Sequence, residues 1–282
     1  MVFFLIVTAL LSAGCDNLLA SIGFNTPTPT QVVNITQTPA ATPTPTQSVS
    51  TPEITDTIAP VETEPVQTDP PDASPSLYGP EDKLVAVTFD DGPFIGVTDS
   101  ILDTVEQYAA DDVHVTFFAV GLQIVKYPSL VARAAKLGCE IGNHTYHHKN
   151  LTHLSIEEML AEVEDVNEMI RELTDTAPTL VRPPYGARDE AVYATILYPL
   201  ILWDIDTLDW STHDTQSTVE AVLKCEDGDI ILMHDVRPDS AEAFKQIVPE
   251  LLARGFKLVT VSQMFEAKGI ALEPGKSYRH AR

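Results

Sequence analysis

The chain has 282 residues and a formal net charge of −24, from 41 acids and 17 bases. Net charge bears on partners and solubility, not on fold, and here it excludes a nucleic-acid binder and adhesion to anionic lipid by charge, leaving a neutral or cationic substrate. The charge is unevenly spread: seven acids and no base precede Leu77, 34 acids and 17 bases follow, and Lys83 is the first cation.

Residues 1–14 are an apolar run ending in Ser12, Ala13 and Gly14, directly before Cys15. The run is too short to span a bilayer as a mature helix and reads as a signal peptide. The small residues before Cys15 resemble a bacterial lipobox, although Ser12 stands where a branched apolar residue is usual and no Lys or Arg precedes it. That resemblance implies lipidation of Cys15, with residues 15–24 as the lipidated N-terminus, and a membrane lipoprotein facing the cell wall. An ordinary secretory signal or an uncleaved anchor is the other reading. Residues 25–80 hold twelve of the 21 prolines, mixed with Thr, Gln, Ser and Glu. Too few large apolar groups are present to offset the entropy of ordering, so a disordered Pro/Thr-rich linker is expected. Its reach is on the order of 150 Å if it is polyproline-like. The remainder, about 200 residues, can build one sizeable core.

From Leu84 onward, strand-like runs at 84–89, 113–120, 139–142, 179–181, 200–205, 229–233 and 257–261 alternate with helical candidates. The helices are expected at 99–110, 128–137, 155–173, 188–198, 215–225 and 239–254, with a last one near 262–268. Ser155 and Glu158 form a capping box in front of the longest. Strands alternating with helices imply an α/β fold with a parallel sheet, and seven units imply an incomplete, distorted (β/α)7 barrel. The catalytic domain is expected at 81–270, with 271–282 as a C-terminal tail. Cys139 and Cys225 are read as free thiols or as a disulfide, between which the sequence does not decide.

Five polar motifs fall where apolar runs stop, which is where an α/β fold gathers its site. They are Thr88-Phe89-Asp90-Asp91-Gly92-Pro93, His144-Thr145-Tyr146-His147-His148, Arg182-Pro183-Pro184-Tyr185-Gly186, Asp206-Thr207-Leu208-Asp209-Trp210 and Leu232-Met233-His234-Asp235. Asp90-Asp91-Gly92-Pro93 on its own is a plain turn. Its adjacent carboxylates diverge, however, so one can take a metal while the other faces substrate. His144 and His148 would share one face if their segment turned helically, with His147 as a competing partner. Two prolines make the Arg182 segment an extended rim with the Tyr185 N–H free for a ligand. His234 alone, on an apolar strand, would be a core histidine; its place at the same strand ends as the other motifs argues for a role in the site. Together the groups supply a metal site, an acid and a base: a metal-dependent hydrolase.

The five motifs, in this order and spacing, resemble the NodB-homology polysaccharide deacetylases, carbohydrate esterase family four, over about residues 82–270. The resemblance implies a distorted (β/α) barrel that removes N-acetyl or O-acetyl groups with a divalent metal, Zn²⁺ foremost and Co²⁺ or a similar ion as alternatives. It implies Asp91, His144 and His148 as metal ligands, Asp90 as catalytic base and Arg182 as its partner. Tyr185 is implied as the oxyanion N–H donor, and His234 as the catalytic acid, oriented and shielded by Asp209 and Trp210. Leu232 would line the acetyl pocket. Lys149 departs from the family, which often has proline there, and the change is expected to loosen the loop. The implied substrate class is an amino-sugar polymer; the expected location at an outer membrane face puts peptidoglycan N-acetylglucosamine or N-acetylmuramic acid first, and a monomer is expected. An O-acetyl (xylan-type) esterase, a chitooligosaccharide deacetylase and an inactive wall-binding barrel are the alternatives, the last opposed by the complete set of functional side chains.

Overall fold

Strand β1 (Leu84–Asp90) is buried at every residue, as a strand covered on both faces of a parallel sheet must be. The computed structural model containing it describes residues 77–282. The expected signal peptide, Cys15 and nearly all of the 25–80 linker lie outside the described residues. On one edge β1 pairs with β6 (Asp229–His234), from Val85 opposite Asp229 to Asp90 opposite His234. Its other edge is shared: Leu84 and Val85 pair with β7 (Lys257–Leu258), and Thr88 to Asp90 with β2 (Thr116–Ala119). Strand β3 (Glu140–Asn143) joins β2, and β5 (Ile205–Asp206) joins β6, all in parallel.

Beyond β3 the sheet thins. Single bridges run from Asn143 to Val181 and from Val181 to Leu200, leading to β4 (Leu200–Ile201) and β8 (Ser277–Tyr278). Among the described residues no ladder joins β4 to β5, so the strands do not close into a full ring. This is the incomplete, distorted barrel that was expected, with three local differences. The 179–181 run contributes one bridging residue and not a strand. The 200–205 run is two short strands with a break that turns the backbone into the site. Residues 271–282, expected as a tail, pair through β8, while His280 bridges Asp229 and Arg282 contacts Asp229 Oδ1 at 3.0 Å. A two-residue polar strand has no hydrophobic alternation by which to be recognised.

The helices are α1 (Thr98–Gln107), α2 (Gly121–Lys126), α3 (Pro128–Lys136), α4 (Ile156–Thr174), α5 (Glu190–Thr195), α6 (Asp209–Thr212), α7 (Thr215–Val222), α8 (Pro238–Ala253) and α9 (Val261–Ala267). The capping box of α4 forms as expected: Glu158 N–H donates to Ser155 Oγ, and Ser155 N–H to the Glu158 carboxylate. Helix α2 has no counterpart in the sequence reading, because it opens on glycine and ends within two residues of Pro128. Phe89 of β1 stacks on Phe117 at 5.5 Å and meets Phe244 of α8 edge-on at 5.3 Å, tying sheet and helix layer into one core. Cys139 is buried, Cys225 half-buried, and both are free thiols. Burial pushes their pKa values up to about 12 and about 11, so neither is a reactive thiolate. No described helix is long and apolar enough to cross a membrane. Because the barrel strands are parallel, Asp90, Asn143, Val181, Asp206 and His234 all end on one face.

Candidate metal and catalytic centre

The backbone of this face is shaped by residues with positive φ: Asp91 (77°), Thr145 (67°), His148 (56°) and Tyr185 (61°). Non-glycine residues hold that region only where surrounding contacts enforce it. The adjacent carboxylates were expected to diverge; both reach His144 Nε2 at 3.5 Å, and they differ in their other partner, Arg182 for Asp90 and His148 for Asp91. The His144 to His148 segment is not helical. Its irregular loop, with Thr145 and His148 left-handed, brings the imidazoles together, their centroids 4.9 Å apart. The Arg182 motif also differs from the expected rim. Pro183 is extended, but Pro184–Gly186 forms a helical turn with Tyr185 left-handed.

Asp91, His144 and His148 each present one donor atom, all within 4.8 Å of one another. Asp91 Oδ1 lies 3.1 Å from His148 Nε2 and 3.5 Å from His144 Nε2, yet it is buried and accepts no hydrogen bond of normal geometry. His144 Nδ1–H donates to the Arg182 carbonyl at 2.6 Å, which leaves the Nε2 lone pair facing Asp91 Oδ1 and Asp90 Oδ2, each at 3.5 Å. Burial opposes a charge on His144, and the facing Asp90 and Asp91 carboxylates outweigh it, raising its pKa. Burial, with His144 close by, lowers that of His148 and keeps it neutral. Burial favours neutral Asp91, but the imidazoles, His144 first, hold it below the usual carboxylate range. The carboxylates thus call for a positive charge at the imidazoles, and a divalent ion meets that demand without a proton. Two imidazole nitrogens and one carboxylate oxygen are a donor set for Zn²⁺ or a neighbouring transition ion.

His147, the competing partner, points elsewhere. Its Nδ1 lies 2.9 Å from Glu162 Oε1, and its N–H donates to Glu162 Oε2 at 2.7 Å. Glu162 is only 4% exposed, and Lys149 joins it at 3.1 Å. Lys149 therefore ties down the loop it was expected to loosen. Burial opposes ionisation of Glu162, and the hydrogen bonds from His147 and Lys149 prevail, lowering its pKa. Glu162 was missed in the sequence, where its signal is a carboxylate on the face of α4 that carries buried Met159, Val163 and Val166.

On one side of the triad Arg182, fully buried, donates from Nη1 to Asp90 Oδ1 at 2.6 Å and to Thr88 Oγ1 at 2.7 Å. Its Nε and Nη2 donate to the carbonyls of Ile201 and Leu202, and its guanidinium lies 4.0 Å over the Phe118 ring. A buried cation so fully engaged is held in one place. On the other side His234 Nδ1–H donates to Asp209 Oδ1 at 2.8 Å, leaving Nε2 for the cavity. Asp209, fully buried, also accepts from the main-chain N–H groups of Trp210 and His234 and from Ser240 Oγ. Burial alone would lower the His234 pKa, but the Asp209 hydrogen bond and charge raise it to about 9.

Asp90, Asp91, His144, His148 and His234 line one cavity of about 450 Å³, with Tyr185, Trp210 and Leu232 in its wall. Trp210 is 48% exposed and Tyr185 69%, while Leu232 is buried. The Tyr185 ring meets His148 edge-on at 4.8 Å. Every site residue named from the sequence is therefore within this cavity or directly behind it, apart from Cys15, which lies outside the described residues. Trp203 and Arg237 also line it and were not anticipated. The aromatic within the 200–205 run was the available signal for Trp203.

Residues 78–197 match the polysaccharide deacetylase family model. The chain is 39% identical over 190 residues to the peptidoglycan-N-acetylmuramic acid deacetylase PdaC of Bacillus subtilis, covering 67% of this chain and 40% of that protein. It is 36% identical over 196 residues to a peptidoglycan-N-acetylglucosamine deacetylase of Bacillus cereus, covering 66% of this chain and 90% of the relative. The chain belongs to the polysaccharide deacetylase family. Among solved structures, a family 4 acetyl xylan esterase of Clostridium thermocellum in complex with a cobalt ion aligns with a TM-score of 0.66 at 30% identity, covering 70% of this chain and 98% of that one. The polysaccharide deacetylase described here spans about two fifths of the length of the first curated relatives it matches.

Proposed function

We propose that this polysaccharide deacetylase removes N-acetyl groups from amino sugars of peptidoglycan, N-acetylglucosamine or N-acetylmuramic acid. The observation that carries the reading is the Asp91, His144 and His148 triad, flanked in one cavity by the Asp90–Arg182 pair and the His234–Asp209 pair. Curated relatives that act on these two sugars support the choice of polymer.

Asp91, His144 and His148 would hold a divalent metal, Zn²⁺ by donor type, with Co²⁺ as the alternative. Such an ion polarises an acetamide carbonyl and acidifies water, the two needs of an unreactive amide. Asp90, held by Arg182, takes a proton from the attacking water. The Tyr185 N–H donates to the oxyanion that the carbonyl oxygen becomes as water adds to its carbon, and loss of one such donor typically lowers the rate about 10²- to 10³-fold. His234, kept protonated by Asp209, donates from Nε2 to the departing amine, which leaves only as a neutral amine. Leu232 packs against the acetyl methyl, and Trp210 screens His234 from water.

A lipid on Cys15 would place this domain outside the cytoplasm, facing the cell wall. The O-acetyl reading has one specific support, the likeness to an acetyl xylan esterase, because the site holds acetyl and not the leaving atom. Acetate release from peptidoglycan, chitotetraose and acetylxylan, before and after chelation and after Zn²⁺ or Co²⁺ reloading, tests both. Chelator-sensitive release from the N-acetylated polymers supports the proposal. Release only from acetylxylan supports the esterase, and metal bound without release from any polymer supports a binding barrel.

A further inference from the structure

The acidity of the chain argues for a neutral polymer, but one residue of the cleft argues otherwise. Seven of its eight arginines have a side-chain hydrogen bond or ion pair: Arg133, Arg171, Arg182, Arg188, Arg254, Arg279 and Arg282. Among the described residues Arg237 has none; its Nε is buried and has no acceptor there, and its side chain lines the same cavity as Asp90, His234 and the metal triad. A buried guanidinium donor without an acceptor carries a desolvation penalty that a native protein normally relieves.

The position is held firmly. Arg237 is the residue before Pro238, the first residue of α8, and its N–H reaches back to the His234 carbonyl at 3.4 Å. Its carbonyl accepts from Ser240 N–H at 3.0 Å, and Ser240 Oγ in turn donates to Asp209. The same short segment therefore carries His234 and the unpaired guanidinium. Asp206, the acidic wall residue outside the metal triad and the Asp90 pair, is engaged by the Leu208 N–H at 2.9 Å and forms no ion pair with Arg237.

A planar cation with parallel N–H donors matches a carboxylate, which accepts two charge-assisted hydrogen bonds where a sugar hydroxyl accepts one uncharged bond. We infer that Arg237 is a specificity residue that binds a carboxylate carried by the substrate beside the acetamido group. This rests on the peptidoglycan reading above. In that polymer the carboxylate comes from the lactyl ether of a muramic residue or from the stem peptide. Chitin and N-acetylglucosamine alone have neither, so the cleft prefers muramic-containing strands.

The test compares kcat and KM of the full-length, Zn²⁺-loaded protein on four substrates. They are chitotetraose, glycan strands stripped of stem peptides, the same strands with the lactyl carboxylate methyl-esterified, and intact peptidoglycan. The wild type is expected to favour the free-acid strands over the ester about 10- to 100-fold, mainly through KM. Arg237→Gln brings that ratio to near one, and Arg237→Lys falls between. A preference confined to intact peptidoglycan assigns the contact to a stem-peptide carboxylate and keeps the inference. An equal loss on every substrate in Arg237→Gln, at an unchanged thermal midpoint, overturns it, as does a wild type indifferent both to esterification and to the presence of stem peptides. A wild type that releases acetate from none of the four refutes the deacetylase reading itself, which the chitotetraose arm separates from a failure of Arg237 alone.

Discussion

Arg182 donates to Asp90 Oδ1 at 2.6 Å through its side chain, while its main-chain carbonyl accepts from His144 Nδ1 at the same distance. One fully buried residue thus orients the proposed base and a proposed metal ligand together. Removing one partner of a buried ion pair leaves an uncompensated charge, worth about 3–5 kcal/mol. Arg182→Ala is expected to lower the thermal midpoint by roughly 10 °C in a domain of this size, and to abolish activity. Differential scanning calorimetry of variant and wild type checks the first; an unchanged midpoint contradicts the assigned burial.

The different partners of the two adjacent carboxylates, Arg182 for Asp90 and His148 for Asp91, predict separable phenotypes. Asp90→Asn should retain metal and lose turnover at least 10²-fold, whereas Asp91→Ala and His148→Ala should lose metal. His147→Ala should retain it, because His147 faces Glu162. Metal content per chain, measured on the purified variants, decides this. Metal loss in Asp90→Asn means that the two aspartates have the opposite roles.

Glu162 gives a prediction invisible in the motifs. It anchors His147 and Lys149, so Glu162→Ala leaves the His147 N–H without its acceptor and should cost about 1–3 kcal/mol. Its loop also carries His144 and His148, and support of this kind typically changes metal affinity about 10- to 100-fold. Metal titration monitored by calorimetry measures the weakening. Lys149→Pro should lose the ion pair but not the His147 bonds, and so be milder.

The His234–Asp209 pair sets an alkaline limit. Because Asp209 raises the His234 pKa to about 9, the acid form and the stability it brings are fully present below the unfolded value of about 6.5. Both are lost as pH rises through about 9. Turnover should therefore decline on the alkaline side near pH 9, and Asp209→Asn should move that decline toward neutrality. A pH–rate profile of both proteins tests the shift; coincident alkaline limbs would sink the assignment of His234 as the acid.

Gly92 lies where a Cβ would sit 2.0 Å from Asp235 Oδ2, an oxygen already taken by Thr98 Oγ1 at 2.6 Å. Gly92→Ala should therefore distort the turn that carries Asp91 and lower both the thermal midpoint and metal retention. Adding Asp235→Ala removes the clashing atoms and should restore part of both, a coupling that a double-mutant cycle reads directly.

Much of this protein was legible in one dimension. The continuous apolar run of β1, the capping box of α4 and the five polar motifs at run ends follow from local chemistry, and so does the alternation that makes the sheet parallel. Parallel strands end on one face, so residues as far apart as Asp90 and His234 had to meet. The sequence spacing of His144, His147 and His148 could not say which two would face Asp91. That was decided by the left-handed turns at Thr145 and His148 and by a carboxylate on α4, all of them long-range consequences of packing. The same holds for Arg237, which reads as an ordinary charged residue ahead of a helix-initiating proline. Only the folded chain shows that its guanidinium enters the cleft without a partner, because the pairing of a charge depends on what other segments bring within reach.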